Sequence, residues 1–211
     1  MFDVLLSLEM PKEWYPVLIK RARSHGLEFM STITNFLTLD WLEELDVRVL
    51  KVASSNINCF PLIDRAASFC ESIVISTGMG TFEEIREALN CVQKSAHSVL
   101  LYCLSEYPAC PKDLQFDTIR LLQDTFGIPV GFSDHTTSIT PSLVAVSRGS
   151  CIIEKHLMLE GSNPSKLPDA PVSISPNEFK SLVKEIALID SILQNESEVP
   201  QDFGGSRSVY R

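Results

Sequence analysis

Short apolar runs alternate with amphipathic stretches along almost the whole chain. Pro11 followed by Glu13-Trp14 opens a helix whose apolar positions Trp14, Val17, Leu18 and Ala22 share one face, and Gly26 stops it. Leu27 to Ile33 then reads as a strand, Leu39 to Leu45 as a short helix, and Val47 to Ala53 as a second strand. Phe60 to Phe69 is helical and Ile73 to Ser76 is a third strand. Thr81-Phe82-Glu83-Glu84 is a capping box, and the helix it opens runs to about Ser95. Val99 to Cys103 is a fourth strand, Asp117 to Thr125 a helix stopped by Gly127, and Pro129 to Ser133 a fifth strand. Pro141 suits the first turn of a helix over Ser142 to Arg148, and Cys151 to Glu154 is the sixth strand. Ser175-Pro176-Asn177-Glu178 combines an N-cap, a first-turn proline and a capping-box glutamate, and opens a helix to Leu193.

Strands that are short and continuously apolar, each followed by a helix, are parallel strands covered on the outside. Two architectures satisfy this: a doubly wound sheet and a β/α barrel. In both, function gathers at the C-terminal ends of the strands. Polar residues stand at most of these ends, in Lys51-Ser54, Ser76-Thr77, Cys103-Ser105, Ser133-His135 and Lys155-His156. An open sheet tends to use one crevice, so polar residues at so many ends favour the barrel. The expectation is an α/β fold of TIM (β/α)8 type, incomplete, with about six βα units over residues 1–194.

Composition narrows the function. The chain of 211 residues is long enough for one domain with its own core, and its net charge of −9 argues against a nucleic-acid partner, which needs a basic face. An anionic substrate therefore needs locally placed Lys, Ser or metal. The six cysteines show no C-x-x-C spacing and read as reduced packing residues. No signal-like segment opens the sequence and no apolar run is long enough to span a membrane, so the cytoplasm is the expected location and the sequon Asn195-Glu196-Ser197 reads as accidental. From Asn195 the sequence is polar and glycine-containing, as a linker is.

Two strand ends each deliver a histidine, His135 and His156, one βα unit apart. Singly, each is better read as a hydrogen-bonded structural histidine. Jointly, with Asp134 and Glu154 beside them, a shared divalent metal stands level with that reading, because two imidazoles plus solvent and substrate oxygens make an open, catalytic type of site. Lys51 and Lys155 are expected at the same rim, where Ser54, Ser76, Ser105 and Ser133 could join them around a phosphate or carboxylate. Gly78-Met79-Gly80 lacks the third glycine of a dinucleotide fingerprint and reads as a tight turn from strand to helix. His25 and His97 read as solvated residues near helix ends.

Five blocks carry a further signal: Lys51-Val52-Ala53-Ser54, Ile75-Ser76-Thr77-Gly78-Met79, Cys103-Leu104-Ser105-Glu106-Tyr107-Pro108, Gly131-Phe132-Ser133-Asp134-His135-Thr136 and Glu154-Lys155-His156. In this order and near this spacing they closely resemble the sialic acid synthase (N-acetylneuraminate synthase) family, over essentially Glu9 to Leu193. The resemblance implies a barrel enzyme that condenses phosphoenolpyruvate with N-acetylmannosamine or its 6-phosphate and releases phosphate, using a divalent metal, commonly manganese, with magnesium or cobalt as alternatives. By the same resemblance His135 and His156 would be the metal ligands. Lys51, Ser54, Ser76, Ser105 and Ser133 would surround phosphoenolpyruvate, and Tyr107 and Asp169 would face the sugar. Arg207-Ser208-Val209-Tyr210 resembles the linker leading into that family's C-terminal antifreeze-like domain.

Two departures qualify the resemblance. Asn56 stands where the family pattern has a glutamate thought to act in proton transfer, and an amide takes up no proton at neutral pH. The family's first two barrel strands, with their own substrate-binding lysine, glutamine and glutamate, have no counterpart in the sequence. A chain so truncated is expected to be a weak or inactive synthase, or to be completed by a second copy or a partner chain. The rival is a non-catalytic sugar- or phosphate-binding module that pairs with a full-length synthase. A different phosphate-binding aldolase would instead need a Schiff-base lysine at Lys51 or Lys155.

Overall fold

The structure, a computed structural model, describes residues 8–92 and 97–194. Six strands form one sheet: β1 (Ser31–Ile33), β2 (Val49–Val52), β3 (Ser72–Ser76), β4 (His97–Tyr102), β5 (Val130–Asp134) and β6 (Ile153–Lys155). Helix α1 (Trp14–Ser24) precedes β1. Helices α2 (Phe36–Glu44), α3 (Phe60–Ala67), α4 (Phe82–Val92), α5 (Asp117–Phe126) and α6 (Thr140–Ser147) connect successive strands, and α7 (Pro176–Gln194) follows β6.

Every strand pairs parallel with the next, in unbroken chain order from β1 to β6. A doubly wound sheet reverses its order at a switch point. Here there is no reversal, so the sheet curls one way into a half-barrel with its helices outside. Among the described residues β1 and β6 are each paired on one side only.

Alternation along the strands separates two environments. Leu50, Val52, Ile73, Ile75, Leu100, Tyr102, Val130 and Phe132 face the helices and join one core with Leu39, Leu42, Ile63, Ile85, Leu89 and Ile119. The opposite face carries Lys51, Ser76, Cys103, Ser133 and Glu154, which line a single cavity. Both faces are covered along the inner strands, where four of the five residues of β3 and all five of β5 are buried, and this is why the strands read as continuous apolar runs.

Local signals behave as the sequence predicts at three helix ends. The amide and hydroxyl of Thr81 donate to Glu84 at 2.8 and 2.9 Å, and the Glu84 amide returns a bond to Thr81. Ser175 and Glu178 repeat the arrangement at the start of α7. Helix α5 ends at Gly127, whose φ of +68° is the left-handed conformation that glycine adopts without strain.

Several expectations need correction. Helix α1 does not bury Trp14, Val17 and Leu18, which are exposed; it buries Tyr15 and Ile19, because Tyr15 packs edge-on against both Phe29 and Trp41. Strand β1 is only Ser31–Ile33, the three residues that find partners on β2, and β6 begins at Ile153 rather than Cys151. His97 opens β4 instead of closing a helix, though it is exposed as expected. All six cysteines are free thiols, but Cys110 and Cys151 are exposed and only Cys70 and Cys103 are buried. The predicted end of α4 near Ser95 and the tail from Asn195 lie outside the described residues. No helix among the described residues is long and apolar enough to cross a membrane.

Gly131 on β5 is closely approached by Ile152, just before β6, and by Leu101 on β4. A Cβ there would lie 2.6 Å from both the Ile152 carbonyl and Leu101 Cδ2. Gly131→Ala is expected to cost about 1–3 kcal/mol of stability through this overpacking, read as a lower urea midpoint at unchanged slope.

Candidate functional site

The C-terminal ends of the strands surround a cavity of about 470 Å³. Strand β2 brings Lys51 and the turn after it brings Ser54. Strand β3 ends on Ser76, β4 leads to Cys103, Ser105 and Tyr107, β5 leads to Ser133 and His135, and β6 to Glu154 and His156. The residues fall into two walls.

One wall offers donors. Lys51 is partly buried, with its Nζ 3.4 Å from Glu154 Oε1. Ser54 Oγ accepts from the Gly78 amide at 3.2 Å and lies 3.3 Å from Cys103 Sγ. Gly78 is required by close approach, since a Cβ would sit 2.7 Å from both Cys103 Sγ and Ser105 Oγ. The Gly78-Met79-Gly80 segment is thus a tight turn, as expected, and it packs directly on the cavity. Ser76 Oγ is buried and has no hydrogen-bond partner among the described residues. A buried hydroxyl without a partner carries a free-energy cost that a ligand oxygen would relieve.

The other wall holds the two imidazoles, with ring centroids 5.6 Å apart. His135 Nδ1 lies 2.6 Å from the Leu104 carbonyl, which can only accept, so Nδ1 carries the proton. Burial, the largest influence, lowers the His135 pKa, with the neighbouring His156 and Lys51 acting in the same direction against the Leu104 bond and Glu154. A neutral ring leaves Nε2 as a lone pair, which here accepts from the Tyr107 hydroxyl at 2.9 Å. Tyr107 stacks on the ring at 4.1 Å, and its own pKa is pushed up to about 12, chiefly by burial, so the phenol keeps its proton. His156 Nδ1 faces Asp169 Oδ2 at 3.4 Å.

This donor set fits a divalent ion. Nδ1 of His135 is held by the Leu104 carbonyl, the arrangement that orients a ligating imidazole, and Nδ1 of His156 has the Asp169 carboxylate 3.4 Å away. Nitrogen–metal bonds of about 2.1 Å would allow the two ring centroids of a shared ion to lie up to about 6.5 Å apart, and the observed separation is within that span. Among the described residues no group of three or more His, Cys, Asp or Glu could hold an ion, so further donors would be solvent or substrate oxygens.

A family model, that of the NeuB family, matches residues 1–198. The chain belongs to the NeuB family. It is 37% identical over 207 residues to N,N'-diacetyllegionaminic acid synthase of Legionella pneumophila, an alignment covering 95% of this chain and 58% of that protein. With N-acetylneuraminate-9-phosphate synthase of Drosophila melanogaster it shares 29% identity, covering 96% of this chain and 55% of that one. The crystal structure of N-acetylneuraminic acid (sialic acid) synthetase from Leptospira borgpetersenii in complex with citrate superposes with a TM-score of 0.87 at 30% identity, over 94% of this chain and 70% of that one. The chain therefore spans somewhat over half the length of the curated relatives it matches.

In this NeuB-family chain the expected residues Lys51, Ser54, Ser76, Ser105, Tyr107, Ser133, His135 and His156 all line the one cavity. Asp169 does not; it stands at the rim against His156. Asn56 also lies outside, where its amide donates to the Thr34 carbonyl at 3.4 Å and its oxygen accepts from Ser55. Lys155 departs most from expectation. The residue borders the cavity, but its side chain is fully buried, with Nζ bonded to Asp134, Thr136 and Ser138, so it offers no free cation there and no amine for a Schiff base. Sequence reasoning undervalued Glu154, the only carboxylate among the cavity-lining residues described, which accepts from Ser133 at 2.6 Å. Alternation from His156 was the available signal, since positions two apart in a strand share a face.

A buried imidazole with a lowered pKa ties stability to pH. Unfolded histidine titrates near 6.5, so the stability contributed by neutral His135 is complete above that pH. It is lost as the pH falls from there toward the lower folded value, because the unfolded chain takes up its proton first. Urea unfolding compared at about pH 7.5 and about pH 5.5 is expected to show this decline, and His135→Asn is expected to flatten it.

Proposed function

We propose that the cavity binds phosphoenolpyruvate beside an N-acetylmannosamine-type sugar aldehyde, free or as the 6-phosphate, and that the chain is by chemistry a sugar-acid synthase joining the two with loss of phosphate. The observation that carries this reading is the partnerless Ser76 hydroxyl within a wall of Lys51, Ser54 and Ser105, opposite a pair of oriented imidazoles. In a chain of net charge −9, such a wall is a local device for holding an anion.

Lys51 would neutralise the phosphate or carboxylate as a point charge, with serine hydroxyls completing the hydrogen bonds. His135 and His156 would hold the divalent ion, which when bound supplies Lewis-acid polarisation of the sugar aldehyde. Manganese, like magnesium, favours oxygen donors, so with only two imidazoles solvent and substrate oxygens would have to complete its shell; cobalt would be an alternative, and magnesium, which keeps several waters and is bound mainly through oxygen, would suit the pair least. Tyr107, presented over His135, would meet the sugar, with Asp169 at the rim above it. Holding both substrates in one cavity converts a bimolecular condensation into a positioned one.

Condensation needs a proton delivered to the new sugar hydroxyl and one removed from the water that attacks the former enol carbon. Asn56 can do neither. Glu154 lines the cavity and is hydrogen-bonded from Ser133, so it is the group we assign to proton transfer.

The rival reading, a binding module that pairs with a complete synthase, is favoured by one observation: the Asn56 side chain is committed to Thr34 and Ser55 outside the cavity. Phosphate release from phosphoenolpyruvate and N-acetylmannosamine with Mn²⁺ separates the two. Release is expected from the unmodified chain, and Glu154→Gln is expected to lower kcat by about 10²–10⁴-fold; phosphoenolpyruvate binding with no release, unchanged in that variant, would establish the module instead. In calorimetry, Lys51→Ala is expected to weaken phosphoenolpyruvate binding about 10- to 150-fold, the equivalent of losing one charge-assisted hydrogen bond of about 1.5–3 kcal/mol.

A further inference from the structure

The last rung of the β5–β6 ladder pairs Asp134 with Lys155, one residue before each of the two imidazoles. Lys155 borders the cavity, but side chains alternate, so the rung buries its side chains behind the wall while Ser133, Glu154 and the histidines face the cavity. The Asp134 and Lys155 side chains are fully buried, with Nζ 3.1 Å from Oδ1. Removing two charges from water costs about as much as their attraction returns, so stability alone gives little reason for a buried pair here. Its geometry gives a better one.

All three protons of the Lys155 ammonium have acceptors: Asp134 Oδ1, the Thr136 carbonyl at 2.6 Å and the Ser138 carbonyl at 3.2 Å. Asp134 in turn accepts from the Thr136 amide at 2.8 Å and from Ser142 Oγ, on α6, at 2.6 Å. The backbone from Asp134 to Ser138, which contains His135, is therefore wrapped around an ammonium carried by the neighbour of His156. We infer that Asp134 and Lys155 are positioning residues, a buried clamp that fixes the two imidazoles relative to each other from behind the sheet. The inference rests on the metal-pair reading for its purpose, though not for its geometry.

Each single substitution leaves an unpaired buried charge and is expected to fold poorly. The test therefore uses Asp134→Asn with Lys155→Met, which removes both charges, keeps side-chain size and retains acceptors for Thr136. Circular dichroism is expected to show a folded chain. Imidazole ¹⁵N spectra without metal are expected to show His135 fixed as the Nδ1–H tautomer in the unmodified chain and averaged between tautomers in the double variant. Mn²⁺ affinity, measured with the metal alone, is expected to fall about 10–100-fold. A folded double variant with the unmodified chain's tautomer overturns the inference, whatever the metal does. If the unmodified chain binds Mn²⁺ no better than His135→Ala, the metal reading falls, and the metal-free spectra still decide the clamp. Should the double variant not fold, Ser142→Ala removes one anchor and leaves both charges; averaging of the same His135 resonances supports the clamp, and unaltered resonances overturn it.

Discussion

Parallel pairing in unbroken chain order is the constraint from which the other features follow. Parallel strands cannot be joined by tight turns, so each must be followed by a crossover, and the right-handed crossover lays every helix on the same side of a sheet that curls one way. The opposite, concave side is then left to one alternate set of residues from each strand. On most strands this set ends in a polar group, because the rim is where water and substrate can reach it. One cavity is assembled from residues on or just after all six strands, so its walls come from segments far apart in sequence.

Much of this was legible before the structure. Period-two alternation was hidden in the central strands, where both faces are covered, yet the succession of short apolar runs and capped helices was enough to imply parallel crossovers. The capping boxes at Thr81 and Ser175 were readable because their chemistry is local. The α1 face was not, since Tyr15/Ile19 and Trp14/Leu18 are both valid helical faces, and only the tertiary contacts with Phe29 and Trp41 choose between them. Strand limits failed for a similar reason: a strand ends where its partner ends, and the partner is distant in sequence.

The site shows the same division. Residue types at strand ends identified the serines, Lys51 and both histidines, whose presence in the cavity follows from register alone. The Lys155 ammonium was misplaced because a strand-end lysine was expected to reach the rim as Lys51 does, whereas alternation turns its side chain to the face opposite Glu154 and His156. Asn56 and Asp169 were carried by a family pattern and not by alternation, and these are the two residues that the structure puts outside the cavity.

On the function proposed above, the two walls of the cavity would meet different physical demands. An anion-binding wall tolerates approximate geometry, since a lysine and several rotatable hydroxyls can adjust around a phosphate. A two-imidazole wall does not, because the directions of two lone pairs must converge on one point and each ring has to be held in one tautomer. The structure spends its rigid, fully buried hydrogen bonds accordingly. Lys51 remains partly exposed and weakly constrained by Glu154, while His135 is fixed by Leu104 and Tyr107 and flanked by a saturated buried network. Burial of charge is costly, and it occurs in this fold behind the wall where orientation matters most.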